Sequence, residues 1–103
     1  MDFEGKKVVV TGAAGVFGRW FTEAFLREGA DVCLSDIRGD AAEAVARSLE
    51  RPDRTLVHRT DLTDANSIDD LAATLAKSWG APDIVVNNAG VYPHAGLLDL
   101  PVA

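Results

Sequence analysis

The feature that most constrains the fold is a strict alternation between short apolar runs and longer segments with helical periodicity. Runs rich in β-branched residues are separated by segments in which apolar residues recur every three or four positions. The predicted strands span residues 7–11, 31–35, 55–59 and 83–87, and the predicted helices span residues 15–28, 40–50 and 64–79. Strands that alternate with helices in this way form a parallel sheet, so the sequence predicts the α/β class.

The direction of the connections narrows the arrangement further. Helical crossovers between parallel strands are almost always right-handed, so the βαβαβαβ order predicts a doubly wound sheet with helices on both faces. The predicted strands are mostly apolar on both faces, as strands covered from both sides should be. We expect Trp20 and Trp79 to lie in the core and Cys33 to be an inert thiol in a buried strand.

A glycine-rich turn lies between the first predicted strand and the first predicted helix. Its glycines are Gly12, Gly15 and Gly18. In a dinucleotide site, such glycines let the chain turn sharply, let the backbone approach a pyrophosphate and let the helix pack close to the sheet. The N-terminus of the helix offers unpaired N–H groups to the phosphates. The position between strand and helix favours a dinucleotide site over a purely structural turn.

An acidic residue follows the second predicted strand. Asp36 lies roughly 20 residues after the glycine turn, which is the usual separation of a ribose ligand. A carboxylate there accepts hydrogen bonds from the ribose hydroxyls and repels a 2′-phosphate, which predicts NAD in preference to NADP. Two alternatives stay open: Asp36 is only a helix N-cap or turn residue, or Arg38 attracts a 2′-phosphate. Asp40 is the expected N-cap of the next helix.

Two further polar turns follow the third and fourth predicted strands. Asp61 and Leu62 follow the third strand, and the sequence Asn-Asn-Ala-Gly occupies residues 87–90. Both turns stand at the carboxyl ends of strands, where ligands bind in open α/β sheets. For Asp61, a role as the cap of the turn into the third helix remains a fair alternative.

Together these segments resemble the short-chain dehydrogenase/reductase family. The resemblance rests on Thr11-Gly12 through Gly18, Asp36, Asp61-Leu62 and the motif at residues 87–90, in that order, and it covers nearly the whole chain. It implies a Rossmann-type doubly wound parallel sheet. Of that sheet, this chain would hold the first four strands, in the order 3-2-1-4.

The resemblance also implies roles for individual residues. The glycine turn would bind the pyrophosphate, Asp36 would select the ribose, and Asp61 with Leu62 would contact the adenine. Residues 88–90 would line the cofactor beside the adenine ribose, while Asn87 would brace the sheet. The predicted cofactor-binding residues are Gly12, Ala14, Gly15, Val16, Phe17, Gly18, Asp36, Arg38, Asp61, Leu62, Asn88, Ala89 and Gly90.

The chain departs from the family pattern in two ways. The family branch with the Asn-Asn-Ala-Gly motif usually has its middle glycine where this chain has Val16, whereas Gly15 follows the longer, sugar-nucleotide branch. The family's catalytic serine and its Tyr-x-x-x-Lys motif are also missing, since the only tyrosine, Tyr92, is followed four residues later by Gly96. We therefore expect residues 1–103 to be the N-terminal part of one NAD(P)-binding domain, without the catalytic half.

These features predict an oxidoreductase that transfers a hydride between a nicotinamide cofactor and a small carbonyl or alcohol substrate. This chain would supply the dinucleotide-binding half. Two other functions stay open: a non-catalytic nucleotide-binding or assembly module, and an S-adenosylmethionine-dependent methyltransferase, which also uses a glycine turn and an acid after the second strand. The motif at residues 87–90 argues against the methyltransferase.

Charge and composition exclude several classes of partner. The net charge of −6 and the lack of a basic run argue against binding nucleic acid or anionic lipid. No apolar stretch approaches the ~18 residues of a membrane helix, and no signal peptide is recognisable. With one cysteine and no ligand spacing around His58 or His94, no metal site is predicted. We expect a cytoplasmic protein that forms homo-oligomers through an open sheet edge.

Overall fold

The computed structural model describes residues 2–88 of the chain. In this part, the helices and strands alternate as the sequence predicts, and the strands form one parallel sheet in the order β3-β2-β1-β4. The α/β class and the strand order are therefore confirmed. The strands are β1 (Lys7–Thr11), β2 (Asp31–Asp36), β3 (Thr55–Arg59) and β4 (Ile84–Val86), and the helices are α1 (Val16–Arg27), α2 (Gly39–Leu49) and α3 (Ala65–Ser78).

Strand β2 lies in the interior of the sheet and divides the core into two layers. Its residues pair with β1 on one side and β3 on the other. Because neighbouring residues of a strand point to opposite faces, Val32 and Leu34 join the larger cluster with residues of α1 and α2. Cys33 faces the other way and packs with Leu71 and Leu75 of α3. Helices thus cover both faces of the sheet.

The buried thiol of Cys33 is unreactive. Burial raises the pKa of the Cys33 thiol to about 12, so the thiol stays protonated at neutral pH. Trp79 packs against the same layer of the core, as the sequence predicts. No described helix has the length and apolar character to cross a membrane.

The buried face of α1 differs from the predicted one. Gly18, Thr22 and Leu26 are its buried residues, whereas Trp20 is 60% exposed. The prediction that Trp20 lies in the core was wrong, because the contact between α1 and the glycine turn is set at Gly18, and the residues four and eight positions later then face inward. Thr22 tolerates burial since its hydroxyl donates to the carbonyl oxygen of Gly18 (2.8 Å).

The start of α2 also differs from the prediction. The helix begins at Gly39 with Arg38 as its N-cap, and Asp40 lies in the first turn. The prediction of Asp40 as N-cap was wrong. The carboxylate of Asp36 accepts the N–H of Arg38 (2.8 Å), and this bond makes Arg38, two residues earlier, the N-cap. In the first turn, Asp40 still faces the positive end of the helix dipole.

Gly18 determines how closely α1 approaches the glycine turn. A Cβ at this position would lie 2.1 Å from the carbonyl oxygen of Gly12 and 2.6 Å from the Cα of Ala13. Both are backbone atoms, which cannot move aside as a flexible side chain would. The helix can pack here only because residue 18 has no side chain.

We expect Gly18→Ala to destabilise the 103-residue chain by about 3 kcal/mol, because the added methyl forces α1 away from the turn. Gly15→Ala is the matched control, since a Cβ there meets only the Gly12 carbonyl oxygen at an ordinary 3.5 Å. The measurement is urea unfolding followed by far-UV circular dichroism. Equal unfolding midpoints for the two variants would contradict this account of the packing.

An apolar groove runs between α3 and β4. Strand β4 pairs with β1, and within the described residues no strand pairs with its other edge. Val85 in the middle of β4 is 58% exposed. The groove has a volume of about 640 Å³, and its apolar lining includes Leu71, Leu75 and Pro82 as well as Val85. Exposed apolar surface at a strand edge promotes association between chains.

We expect the 103-residue chain to self-associate and Val85→Glu to reduce that association, because the substitution places a charge in the groove. Ala76→Glu is the control: it adds the same charge at an exposed position of α3 that does not line the groove. Sedimentation velocity at several concentrations measures both variants. An association constant for Val85→Glu equal to that of the unmodified chain would exclude the groove as the contact.

Candidate nucleotide-binding site

A cleft of about 420 Å³ opens at the carboxyl ends of the strands. Its walls come from the glycine turn, the end of β2, the loop between β3 and α3, and Asn88, two residues beyond the end of β4. The lining residues are Gly12, Gly15, Val16, Phe17, Ser35, Asp36, Ile37, Arg38, Thr60, Asp61, Leu62, Thr63 and Asn88. Most of the predicted site residues therefore border one space, although they come from four separate segments of the sequence.

The other predicted site residues fall into two groups. Ala14 and Gly18 belong to the glycine turn but do not line the cleft. Ala14 donates its N–H to Asp36, and Gly18 provides the contact between α1 and the turn. Ala89 and Gly90 lie outside the described residues, as do Tyr92 and His94.

The glycine turn presents backbone rather than side chains to the cleft. Gly12 has a φ of 65°, in the left-handed region that favours glycine. The N–H of Gly15 donates to the carbonyl oxygen of Gly12 (3.1 Å), which closes the turn. Gly15 is the N-cap of α1 and has no side chain to cap the first N–H groups. The first turn of α1 contains no acidic residue, so its positive dipole end is not offset locally.

Asp36 links β2 to the glycine turn. Its carboxylate is only 6% exposed and accepts the N–H of Ala14 through Oδ2 (2.9 Å) and the N–H of Arg38 through Oδ1 (2.8 Å). The alternative interpretation of Asp36 as a turn residue is therefore correct in part. The same carboxylate also borders the cleft, so the structural contacts hold it in place there. The guanidinium of Arg38 lies 3.5 Å from Oδ1, while most of the Arg38 side chain is exposed.

Asp61 organises the loop after β3. Its Oδ1 accepts the hydroxyl of Thr63 (2.6 Å) and the N–H of Thr63 (2.9 Å). These hydrogen bonds, in that order, lower the pKa of Asp61, and the charge of Arg59 adds to the effect. The carboxylate is therefore charged at neutral pH. This turn role is the alternative that the sequence left open, and it brings Leu62 to the edge of the cleft.

Thr11 joins β4 to the glycine turn. Its hydroxyl donates to the carbonyl oxygen of Val86 (3.2 Å) and accepts the N–H of Asn88 (2.9 Å). The side-chain amide of Asn88 in turn donates to the carbonyl oxygen of Gly12 (3.3 Å). These bonds place Asn88 at the cleft beside the first glycine.

Sequence reasoning missed several residues that line the cleft, namely Ser35, Ile37, Thr60 and Thr63. Each is next to a predicted site residue or two positions from one, at the carboxyl end of β2 or β3. The positional rule that selected Asp36 and Asp61 also applies to these neighbours, so it could have found them. Their side chains carry no charge, which is why residue type gave no signal.

No group of three or more histidine, cysteine or acidic side chains within residues 2–88 is arranged to hold a metal ion. The polar groups around the cleft are backbone N–H groups, hydroxyls, one amide, carboxylates and the guanidinium of Arg38. Such a set suits hydrogen bonding to a phosphorylated organic ligand better than metal coordination.

Comparisons with known proteins agree with this geometry. The model of the short chain dehydrogenase family matches residues 6–102. Sorbitol dehydrogenase from Cereibacter sphaeroides is 39% identical over 100 residues, which cover 97% of this chain and 38% of that protein. The match favours the oxidoreductase prediction over a methyltransferase.

Two solved structures illustrate the likeness of the fold. The 3-ketoacyl-(acyl-carrier-protein) reductase from Brucella melitensis, complexed with NADH, is 32% identical with a TM-score of 0.80, over 86% of this chain and 36% of that chain. L-sorbose reductase from Gluconobacter frateurii, complexed with NADPH and L-sorbose, is 29% identical with a TM-score of 0.81, over 97% and 39%. This chain thus spans about two fifths of the length of each of these three proteins.

The agreement extends from sequence to structure. The family match covers nearly the whole chain, the fold superposes on solved structures with TM-scores of 0.80 and 0.81, and the glycine turn and strand-end residues meet at one cleft. The matched structures show that proteins of this kind bind a nicotinamide dinucleotide, NADH in one case and NADPH in the other. On these grounds, the chain belongs to the short-chain dehydrogenase family.

Proposed function

We propose that this chain binds the adenosine-diphosphate part of a nicotinamide dinucleotide, with NAD preferred over NADP. In this proposal, residues 1–103 are the N-terminal, cofactor-binding part of one domain of an oxidoreductase for small carbonyl or alcohol substrates. The observation that carries the proposal is the position of Asp36, a carboxylate fixed by two backbone N–H groups at the wall of the cleft.

The parts of the cleft suit the parts of an adenosine diphosphate. The glycine turn and the uncapped start of α1 offer N–H groups and a positive dipole end to the phosphates. Ile37 and Leu62, both exposed apolar residues that follow neighbouring strands, give a flat base two surfaces against which to bury its faces. Asp36 contacts the glycine turn through the N–H of Ala14 and directly precedes Ile37, so it borders both regions and would receive the ribose hydroxyls.

The charge distribution supports NAD as the cofactor. A 2′-phosphate on the ribose would stand against the carboxylate of Asp36, and like charges at contact are strongly unfavourable. Arg38 is the one cation among the described residues that line the cleft. Its guanidinium already lies beside the Asp36 carboxylate, so part of its charge is offset there.

In the complete reaction, a bound nicotinamide would supply the hydride donor or acceptor. The described residues would bind and orient the cofactor, and we propose no role for them in proton transfer to the substrate. The names of two relatives support a class of substrate: sorbitol dehydrogenase and L-sorbose reductase are named for a sugar alcohol and a ketose. A small polyol or its carbonyl form is therefore our proposed substrate for the whole enzyme.

We also propose a cytoplasmic location and a homo-oligomeric state. Cys33 is buried and forms no disulfide, so this fold does not depend on an oxidising compartment. The exposed apolar groove between α3 and β4 offers a surface for association. A non-catalytic nucleotide-binding module would share the cleft but would show no hydride transfer in any longer form.

We expect the chain to bind ADP-ribose more tightly than its 2′-phosphorylated analogue, by about tenfold to a hundredfold, because only the analogue meets Asp36 with a like charge. These probes omit the nicotinamide, so the cleft is tested by itself. Isothermal titration calorimetry measures both affinities. Asp36→Asn should narrow the gap, since it removes the charge but keeps a carbonyl acceptor.

The control for this experiment is Asp40→Asn, which removes one charge from an exposed residue that does not line the cleft. It should leave the preference unchanged. Tighter binding of the 2′-phosphorylated probe by the unmodified chain would overturn the proposed NAD preference and assign the selectivity to Arg38.

We expect residues 1–103 alone to show no oxidation of NADH or NADPH with L-sorbose or other small ketones. The group that donates a proton to the substrate must lie within hydrogen-bond reach of its oxygen, and Tyr92 lacks the lysine that the family motif requires. The absorbance of the reduced nicotinamide reports the rate, with the L-sorbose reductase from Gluconobacter frateurii as positive control. Turnover at the rate of that enzyme would show that a proton donor exists in this chain.

A further inference from the structure

Four polar side chains form a continuous hydrogen-bonded row beside the cleft. His58 on β3 is 9% exposed, and its Nε2 lies 2.8 Å from Oδ2 of Asp70 on α3. Its Nδ1 lies 2.6 Å from Oγ1 of Thr60, and the hydroxyl of Ser35 donates to the same Thr60 oxygen (2.8 Å). The row therefore leads from an exposed carboxylate on α3 to two hydroxyls that line the cleft.

The chemistry of the groups gives the row a direction. An ionised carboxylate only accepts hydrogen bonds, so the Nε2 of His58 carries the hydrogen that Asp70 accepts. In the neutral imidazole the Nδ1 is then the acceptor, and Thr60 donates its hydroxyl hydrogen to it. The oxygen of Thr60 remains free to accept from Ser35. The Thr60 oxygen also lies 3.3 Å from the backbone carbonyl oxygen of His58, but the shorter contact to Nδ1 (2.6 Å) favours the imidazole as the acceptor of the hydroxyl hydrogen.

The row also connects with the loop that borders the cleft. The N–H of Thr60 donates to the carbonyl oxygen of Asp36 (3.0 Å), and the N–H of Asp61 donates to the hydroxyl of Ser67 (2.9 Å). Ser67 and Asp70 lie three residues apart on α3, so they share one face of that helix. Two contacts thus connect α3 with the loop. Ser67 accepts the N–H of Asp61, and Asp70 bonds to His58, whose ring contacts Thr60.

We propose that His58 is a positioning residue for adenosine binding, acting through Thr60. The Asp70 carboxylate fixes the imidazole, the imidazole fixes the Thr60 hydroxyl, and Thr60 with Ser35 forms the polar part of the wall between Asp36 and Leu62. This inference rests on the proposed function, because it takes the cleft to be the adenosine site. It requires a hydrogen-bond donor toward Asp70 and an acceptor toward Thr60, and it requires no change of charge at residue 58.

The loop can be tested without any ligand. Asp70→Ala removes the acceptor of His58, and Asp69→Ala is the matched control, since Asp69 is the neighbouring exposed acid on α3. We expect the backbone amide resonances of Thr60, Asp61 and Leu62 to shift in Asp70→Ala and to stay in place in Asp69→Ala. Equal spectra of these three amides in both variants would overturn the coupling between α3 and the loop.

Binding is tested with ADP-ribose and, as a probe of the glycine turn alone, inorganic pyrophosphate. We expect His58→Leu to weaken ADP-ribose binding by about tenfold, because it removes the imidazole acceptor of the Thr60 hydroxyl and leaves only the longer contact to the backbone carbonyl oxygen of residue 58 (3.3 Å). His58→Gln should restore binding to within about twofold, since its amide offers one donor and one acceptor. Pyrophosphate affinity should not change in either variant, whereas a general loss of structure would lower both affinities.

The outcomes separate this inference from the proposed function. Failure of the unmodified chain to bind ADP-ribose would overturn the adenosine site and the positioning role with it. If the unmodified chain binds ADP-ribose and the two variants His58→Leu and His58→Gln bind it with equal affinity, only the role of His58 is overturned. Should His58→Leu not fold, Asp70→Ala takes its place, with an expected smaller loss of ADP-ribose affinity and Asp69→Ala again as control.

Discussion

The close packing of α1 on the glycine turn is the constraint on which the rest of the structure depends. The helix touches backbone at Gly18, where a side chain would overlap the Gly12 carbonyl oxygen. This contact fixes the rotation of α1, and so Thr22 and Leu26 face the sheet while Trp20 does not. It also aims the uncapped N-terminus of α1 at the carboxyl ends of the strands. One missing side chain thus sets both the buried face of α1 and the direction in which its N-terminus points.

The walls of the cleft are joined to one another by bonds that cross from strand to strand. Asp36 ties β2 to the glycine turn, Asn88 ties the end of β4 to the same turn, and Thr60 ties the β3–α3 loop to the backbone of Asp36. Because parallel strands all end at the same edge, four distant sequence segments become neighbours there. The acidic group that would choose between cofactors is therefore also part of the scaffold.

Much of this could be predicted from the sequence. The alternation of apolar runs and helical segments predicts the α/β class, and the bounds of β1 and β3 agree with the structure residue for residue. The glycine turn and Asp36 could be predicted because glycines between a strand and a helix, and an acid after the second strand, are typical of dinucleotide sites. Trp20 and Asp40 were misplaced, since periodicity and cap preference are local, whereas Gly18 packing and the Asp36–Arg38 bond decided those positions.

The sequence by itself determined the class of fold, the strand-end positions of the site and the resemblance to a family of dinucleotide-binding oxidoreductases. Only the tertiary structure decided which face of α1 is buried, that Asp36 is anchored through Ala14, and that Ser35, Thr60, His58 and Asp70 form one row. The physical reason is distance along the chain. Periodicity and capping act over a few residues, whereas these contacts join residues on different strands and helices that meet only when the sheet has formed.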